Sequence, residues 1–291
     1  MQPSSDRVLV TGAAGFLGSH LVQALAESGA DVHGLVREET DLRDADAIRR
    51  VVESVRPRIV FHLAAGAGHP DGPAARTAFL ADTVLGTQNL LEALRPGGID
   101  RLVHAGSSLE YGPSSAPRRE TDPLAPVTFR GAAKAAATLL VLQSRLPATV
   151  VRPFTVYGPG EHRHRLVPAV VAAARSGEPI RLTGPGIARD FVYVDDVVDA
   201  LLRAAAVPEA IGEVVNAGTG RQTTNEELVA TLGRVLGREL DVRPGEYEER
   251  LWDTDCWVAD PAKAERLLGW TARHDLDAGL ARMLDPVGAG A

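Results

Sequence analysis

The chain has 291 residues, 45% of them hydrophobic, with a net charge of −7 and a single cysteine. That length and apolar content suit one large domain or two unequal lobes and exclude a disordered chain. An acidic balance without a basic stripe excludes a nucleic-acid partner. The lone Cys256 excludes an internal disulfide and fits a cytoplasmic location, and no apolar run is long enough for a membrane span.

In chain order, short apolar strands at 7–11, 31–36, 58–63, 100–105 and 148–152 alternate with helical stretches near 15–28, 44–55, 76–95 and 130–145. The alternation predicts an α/β fold, a doubly wound parallel sheet with helices on both faces. After Pro153 the elements shorten: strands at 179–182, 191–194, 213–216 and 240–243, helices near 166–176, 195–206, 224–236 and 261–268. Residues 1–152 therefore read as a dinucleotide-binding domain. Residues 153–291 read as mainly a smaller substrate lobe, interleaved with the end of the main sheet, with ligand in the cleft between.

The first strand runs into Gly12, and Gly15 and Gly18 follow at three-residue spacing. A strand that turns directly into a helix leaves free N–H groups and a positive dipole end above the sheet. Glycine there lets the backbone approach a pyrophosphate. The second strand ends at Arg37 with no acidic residue, and a guanidinium suits a 2′-phosphate, which favours NADP with NAD as the alternative. A plain surface arginine would read the same. Asp41, before Leu42, either meets adenine or starts the next helix. Ala64 and Ala65 leave room for a cofactor to lie flat, and His62 reads as a core histidine. The stretch Glu161-His162-Arg163-His164-Arg165 lacks metal-ligand spacing, so no metal is expected, and it reads as a solvated loop bordering the cleft.

Further motifs are Gly86-Thr87-x-Asn89, Ser107-x-x-x-Tyr111-Gly112, Arg152-Pro153-x-x-x-Tyr157-Gly158-Pro159, Arg189-Asp190-Phe191, Asn216-x-Gly218-x-Gly220 and Ala259-Asp260-Pro261. With Thr11-Gly12-x-x-Gly15-x-x-Gly18 and His62-Leu63-Ala64-Ala65, the chain resembles the extended short-chain dehydrogenase/reductase family over nearly its whole length. The resemblance is to the epimerase/dehydratase type that acts on nucleotide-linked sugars on a Rossmann-type sheet. It implies cofactor contacts at Gly12, Gly15, Phe16, Leu17, Gly18, Arg37, Asp41, Leu42, Ala64, Ala65, Lys134 and Pro153. It implies that Ser107 hydrogen-bonds the reacting oxygen and that Lys134 holds the nicotinamide ribose. It places Arg189, Arg250 and Asp253 on the nucleoside diphosphate, with Trp257 beside them, and Ser108, Arg130 and Thr155 on the sugar. Glu246, Glu248 and Glu249 are alternative partners for Arg250.

The family pairs its lysine with a tyrosine one helical turn earlier, and here that position is Arg130. An arginine stays protonated and is no general acid at neutral pH. Glu110 either faces the sugar, as a candidate catalytic proton donor, or points to solvent. The resulting expectation is an NADPH-dependent ketoreductase of a nucleotide-linked 4-keto-6-deoxy sugar, in deoxysugar or natural-product biosynthesis. The alternatives are an epimerase or dehydratase with bound NAD, and a non-redox enzyme or binding protein on the same scaffold. The resemblance also implies a homodimer through the helices near 76–95 and 130–145.

Overall fold

The structure is a computed structural model that describes residues 7–248, 250 and 253–284. Its first half lays down β1 (Arg7–Thr11), α1 (Phe16–Glu27), β2 (Asp31–Leu35), α2 (Ala45–Val55), β3 (Ile59–His62), α3 (Gly72–Leu80), α4 (Gly86–Leu94), β4 (Arg101–Ala105), α5 (Phe129–Gln143) and β5 (Ala148–Pro153). Val8, Leu9 and Val10 are fully buried, as expected of a parallel strand covered on both faces. Asp44 caps α2 by accepting from the amides of Asp46 and Ala47, so Asp41 is not that cap. Thr128 caps α5 through the amide of Gly131.

The helix expected near 76 begins at Gly72, with Pro73 in its first turn, where a missing N–H costs nothing. A π turn, Ala81–Leu85, interrupts it before α4. No residue there signals the turn, which widens the coil and re-aims Asp82 and Thr83. Thr83 accepts from the Gly66 amide at 2.9 Å.

The second half contributes β6 (Thr155–Tyr157), α6 (Leu166–Ser176), β7 (Ile180–Arg181), β8 (Ala188–Arg189), β9 (Phe191–Tyr193), α7 (Val194–Ala206), β10 (Val214–Ala217), β11 (Thr223–Thr224), α8 (Asn225–Leu236), β12 (Val242–Arg243), α9 (Ala262–Leu268) and α10 (Leu276–Leu284). The main sheet has the order β10-β5-β4-β3-β1-β2, with all its pairs parallel. Strand β10 docks on β5 in the register Val214↔Val150. One core joins Leu21, Phe61 and Val103 to Val197, Leu201 and Trp270, so the two halves of the chain share it. A second core (Tyr157, Val167, Phe191, Leu228, Leu232, Leu280) fills the smaller lobe. Helix α10 docks there because Gly279 has no side chain: a Cβ on it would lie 1.9 Å from the Tyr157 hydroxyl.

His62 is a satisfied core histidine. Its Nδ1 meets the Thr11 hydroxyl at 2.7 Å and its Nε2 the Thr87 hydroxyl at 2.8 Å. Burial, with the Lys134 charge nearby, pushes it down to about 3, so it stays neutral.

Candidate active site

The turn from β1 to α1 is built around missing side chains. Gly12 has φ +72, and a Cβ on it would lie 2.8 Å from the Ala64 amide nitrogen; a Cβ on Gly18 would lie 2.0 Å from the Gly12 carbonyl oxygen. Gly15 stands at the N-cap of α1 with no side-chain cap, so side chains leave the first-turn amides to a ligand. Phe16 and Leu17 open the helix. His20 bonds the Pro159 carbonyl at 2.8 Å and so ties the loop after β6 against this turn. A groove of about 360 Å³ runs over the sheet edge and gathers Gly12, Gly15, Arg37, Asp41, Leu42, Ala64 and Ala65. Its size and its bare backbone floor fit the adenosine and pyrophosphate of a dinucleotide. Asn89 holds the rim by donating to the Leu42 carbonyl at 2.9 Å.

The rim charges are paired. Arg37 Nη2 meets Asp82 at 2.5 Å, and Arg43 Nη2 meets Asp41 at the same distance. The Arg43 guanidinium holds the Asp41 carboxyl down to about 2. Asp82 reaches Arg37 because the π turn presents it there, a contact that sequence periodicity does not reveal.

Three of the motifs are tied beneath the cleft by one buried network. Glu110 is fully buried; its Oε1 accepts from the Ser107 amide at 2.8 Å and the Thr138 hydroxyl at 3.0 Å. Its Oε2 accepts from Arg152 Nε at 2.8 Å. Arg152 Nη1 donates to the Tyr111 hydroxyl, which donates to Asn216 Oδ1, each at 2.8 Å. This corrects both expectations for Glu110. It faces neither sugar nor solvent, because its two oxygens are consumed in an ion pair and a capping box under the Ser107 turn. It is no proton donor to a ligand. Tyr111 is also no substitute for the missing tyrosine, since burial pushes its hydroxyl up to about 12.

Next to this network in the chain stand the other residues of the Ser-Lys motif. Ser107 lies two residues past β4 and caps the short turn Ser108–Glu110, and its Oγ accepts from the Leu109 amide at 3.2 Å. Lys134 is buried, its Nζ donates to the Ala105 carbonyl, and burial pulls its ammonium down to about 8. Arg130 stands one turn before Lys134 on α5, and its Nη1 donates to the Gly68 carbonyl at 3.1 Å. Pro153 closes β5 opposite Ala217.

On the smaller lobe, Arg189 meets Asp253 at 2.5 Å and lies 5.9 Å from the Trp257 ring centre. Its sequence neighbour Asp190 is committed elsewhere: it binds Thr219, Gly220 and Ala259 and locks two further motifs together. Arg250 donates from Nη2 to the Tyr247 hydroxyl and from its amide to Asp253, each at 2.8 Å. Glu249 lies outside the described residues. Ser108 is largely buried, and its hydroxyl accepts from Trp257 Nε1 at 3.1 Å, so it supports the aromatic. Thr155 follows β5 and takes the Asp190 carbonyl through its amide at 2.9 Å.

Sequence reasoning did not single out His69, and it took Glu161 and Arg165 only as part of a solvated loop. Burial first, then the charges of Arg130, Arg165 and Arg250, push His69 down to about 4. The stretch 161–165 is only partly a solvated loop. The Glu161 side chain is 6% exposed, pairs with Arg165 at 3.3 Å and is pushed up to about 7 by burial. Among the described residues no group of three His, Cys, Asp or Glu could hold a metal ion. Among the same residues no helix is long and apolar enough to cross a membrane.

This Rossmann-type fold with a glycine turn and a Ser-Lys pair defines a dinucleotide-dependent class, and comparison with known proteins agrees. Residues 8–218 match the model of the NAD dependent epimerase/dehydratase family. The chain is 32% identical to a UDP-glucose 4-epimerase of Mycolicibacterium smegmatis, over 96% of this chain and 97% of that one. The solved structure of MoeE5 in complex with UDP-glucose and NAD superposes with a TM-score of 0.87 at 34% identity, covering 95% of this chain and 97% of that one. RMD from Pseudomonas aeruginosa complexed with NADPH gives 0.83 at 26% identity, over 96% and 97%. The chain belongs to the NAD dependent epimerase/dehydratase family, a family of nicotinamide-dependent enzymes.

Proposed function

We propose that this protein reduces a carbonyl on a nucleotide-linked sugar, with a 4-keto-6-deoxy sugar of a deoxysugar or natural-product pathway as the first substrate to test. The observation that carries the reading is a guanidinium, Arg130, on the same face of α5 as the retained Lys134. Oxidising a hydroxyl needs a group that takes its proton, and arginine keeps its own. Reducing a carbonyl builds negative charge on oxygen, which a guanidinium and the Ser107 hydroxyl stabilise, with solvent supplying the proton. A bound nicotinamide dinucleotide would supply the hydride. The chain's own part is to hold and orient: the Gly12–Gly18 turn for the pyrophosphate, Lys134 for the nicotinamide ribose, and Arg189, Arg250 and Asp253 for the nucleoside diphosphate.

On the cofactor, Arg37 alone favours NADP, but in the fold it is tied to Asp82 while Arg43 is tied to Asp41. A 2′-phosphate must compete with both carboxylates; a 2′-hydroxyl can bond either one without breaking a pair. This supports NAD, and a direct comparison of NAD and NADP affinity decides it. Exposed Leu80, Leu85 and Leu139 on α3, the π turn and α5 support a homodimer through those helices.

A second reading, epimerisation through transient oxidation, is favoured by the curated relatives, one of them a UDP-glucose 4-epimerase at 32% identity over 96% of the chain. Purified protein with NADH or NADPH and a nucleotide-linked 4-keto sugar separates them. The reductase reading expects net loss of the reduced nicotinamide, with Ser107→Ala about a hundredfold slower. Epimerised UDP-sugar with no net cofactor turnover establishes the second reading. Neither reaction leaves the non-redox or binding role.

A further inference from the structure

Where β2 gives way to the loop stands Arg37, not an acid. The fold brings a carboxylate there from another element. Asp82 lies on the π turn and lines the dinucleotide groove together with Arg37, Asp41 and Arg43. Its Oδ1 is 2.5 Å from Arg37 Nη2 and 3.7 Å from Arg43 Nε. That oxygen is buried, yet no donor among the described residues is aligned on it for a hydrogen bond. Asp41 differs, because both its oxygens accept from Arg43. A carboxylate oxygen that is buried without a donor is costly until a ligand supplies one. The position of Asp82 is also fixed. Thr83 accepts from the Gly66 amide, and the Thr87 hydroxyl donates to the Thr83 carbonyl at 2.6 Å. Asn89 then ties α4 to the Leu42 and Arg43 carbonyls at 2.9 and 3.1 Å. Glu38 lines the groove as well, so two guanidiniums there face three carboxylates.

We propose that Asp82 is the specificity-determining residue for the cofactor: it accepts a hydrogen bond from the adenosine 2′-hydroxyl of NAD and keeps the Arg37 guanidinium from a 2′-phosphate. The acid that β2 lacks is thus replaced from a turn between two helices. A hydroxyl donor completes Oδ1 and leaves the ion pair in place. A 2′-phosphate brings about two negative charges to a guanidinium that is already paired. To use Arg37 it must strip away Asp82, whose side chain is 11% exposed and would be left without its cation. The inference rests on the nicotinamide-dinucleotide reading above, adds which residue makes the choice, and is independent of the sugar.

Isothermal titration of the full chain with NAD and NADP, for the wild type, Asp82→Asn, Arg37→Ala and the double variant, tests it. The wild type should bind NAD at least about tenfold tighter than NADP. In Asp82→Asn, NAD weakens and NADP tightens, so the ratio falls at least about a hundredfold. The NADP gain shrinks with added salt. It needs the freed arginine, so it is absent from the double variant. Arg37→Ala keeps Asp82 and should keep the NAD preference. An unchanged ratio in Asp82→Asn, or an NADP gain that persists in the double variant, overturns the inference while leaving the dinucleotide reading intact. Should circular dichroism show Asp82→Asn unfolded, Arg37→Ala decides: loss of its NAD preference overturns the inference. Wild-type preference for NADP overturns it too. Binding of neither dinucleotide overturns both the inference and the reading it rests on.

Discussion

Arg152 and Arg130 are both arginines of the Ser107 region, and their surroundings differ in every respect. Arg152 is buried with a carboxylate at 2.8 Å, a tyrosine hydroxyl at 2.8 Å and a tyrosine ring 4.6 Å beneath its guanidinium. Arg130 is half-buried and donates to one backbone carbonyl. Arg165 is the intermediate case, paired with a Glu161 whose second oxygen has no partner. A buried ion pair consumes its charge in holding the fold, whereas an unpaired cation at a cleft keeps its charge for a ligand. The comparison therefore assigns Arg152 and Glu110 to the scaffold and leaves the Arg130 guanidinium without a carboxylate among the described residues.

The strongest way to break this comparison is to remove Glu110. Glu110→Gln leaves Arg152 buried beside a neutral amide, and urea unfolding should show a loss of about 3–5 kcal/mol. A loss below about 1 kcal/mol would return Glu110 to the list of proton donors. Next in size is Gly18→Ala. Its Cβ meets the Gly12 carbonyl oxygen, so the β1–α1 turn must open, and dinucleotide affinity should fall at least about a hundredfold in a fluorescence titration, a cost of about 3 kcal/mol. If the variant does not fold, circular dichroism shows that instead.

Glu161 sharpens the intermediate case through pH. Burial raises its carboxyl from 4.5 to about 7, so across that window the native state holds a proton the unfolded chain has released. Stability attributable to it is therefore present below pH 4.5, falls as pH rises towards 7, and is level above. A rise from 4.5 to about 7 is worth about 3 kcal/mol, so Glu161→Gln, which removes that slope, should gain on the wild type by roughly 5–6 °C in Tm between the two ends of the window. Smallest is Arg130→Gln, which breaks no ion pair and should change unfolding free energy by no more than about 0.5 kcal/mol.

The sequence made the sheet legible because its strands are uninterrupted apolar runs ending in small residues, as at Val8–Val10 and Phe61–Ala65. The two- and three-residue strands β6, β8 and β11 carry too little periodicity to be read. Helix α10 shows itself only through what Gly279 packs against. The cofactor turn was legible because glycine spacing is itself the mechanism. The roles of Glu110 and Asp82 were not, since each is defined by a partner 42 or 45 positions away in the chain, Arg152 and Arg37. Arg130 was visible as a departure from a pattern, and the fold adds that no carboxylate among the described residues neutralises it.

The most direct test of the central claim, that one residue redirects the chemistry of an intact scaffold, is formation of reduced nicotinamide by wild type and Arg130→Tyr given NAD and UDP-glucose. The account predicts no hydroxyl oxidation by the wild type, and oxidation by Arg130→Tyr at an unchanged Tm. Oxidation by the wild type as fast as by the variant would contradict it.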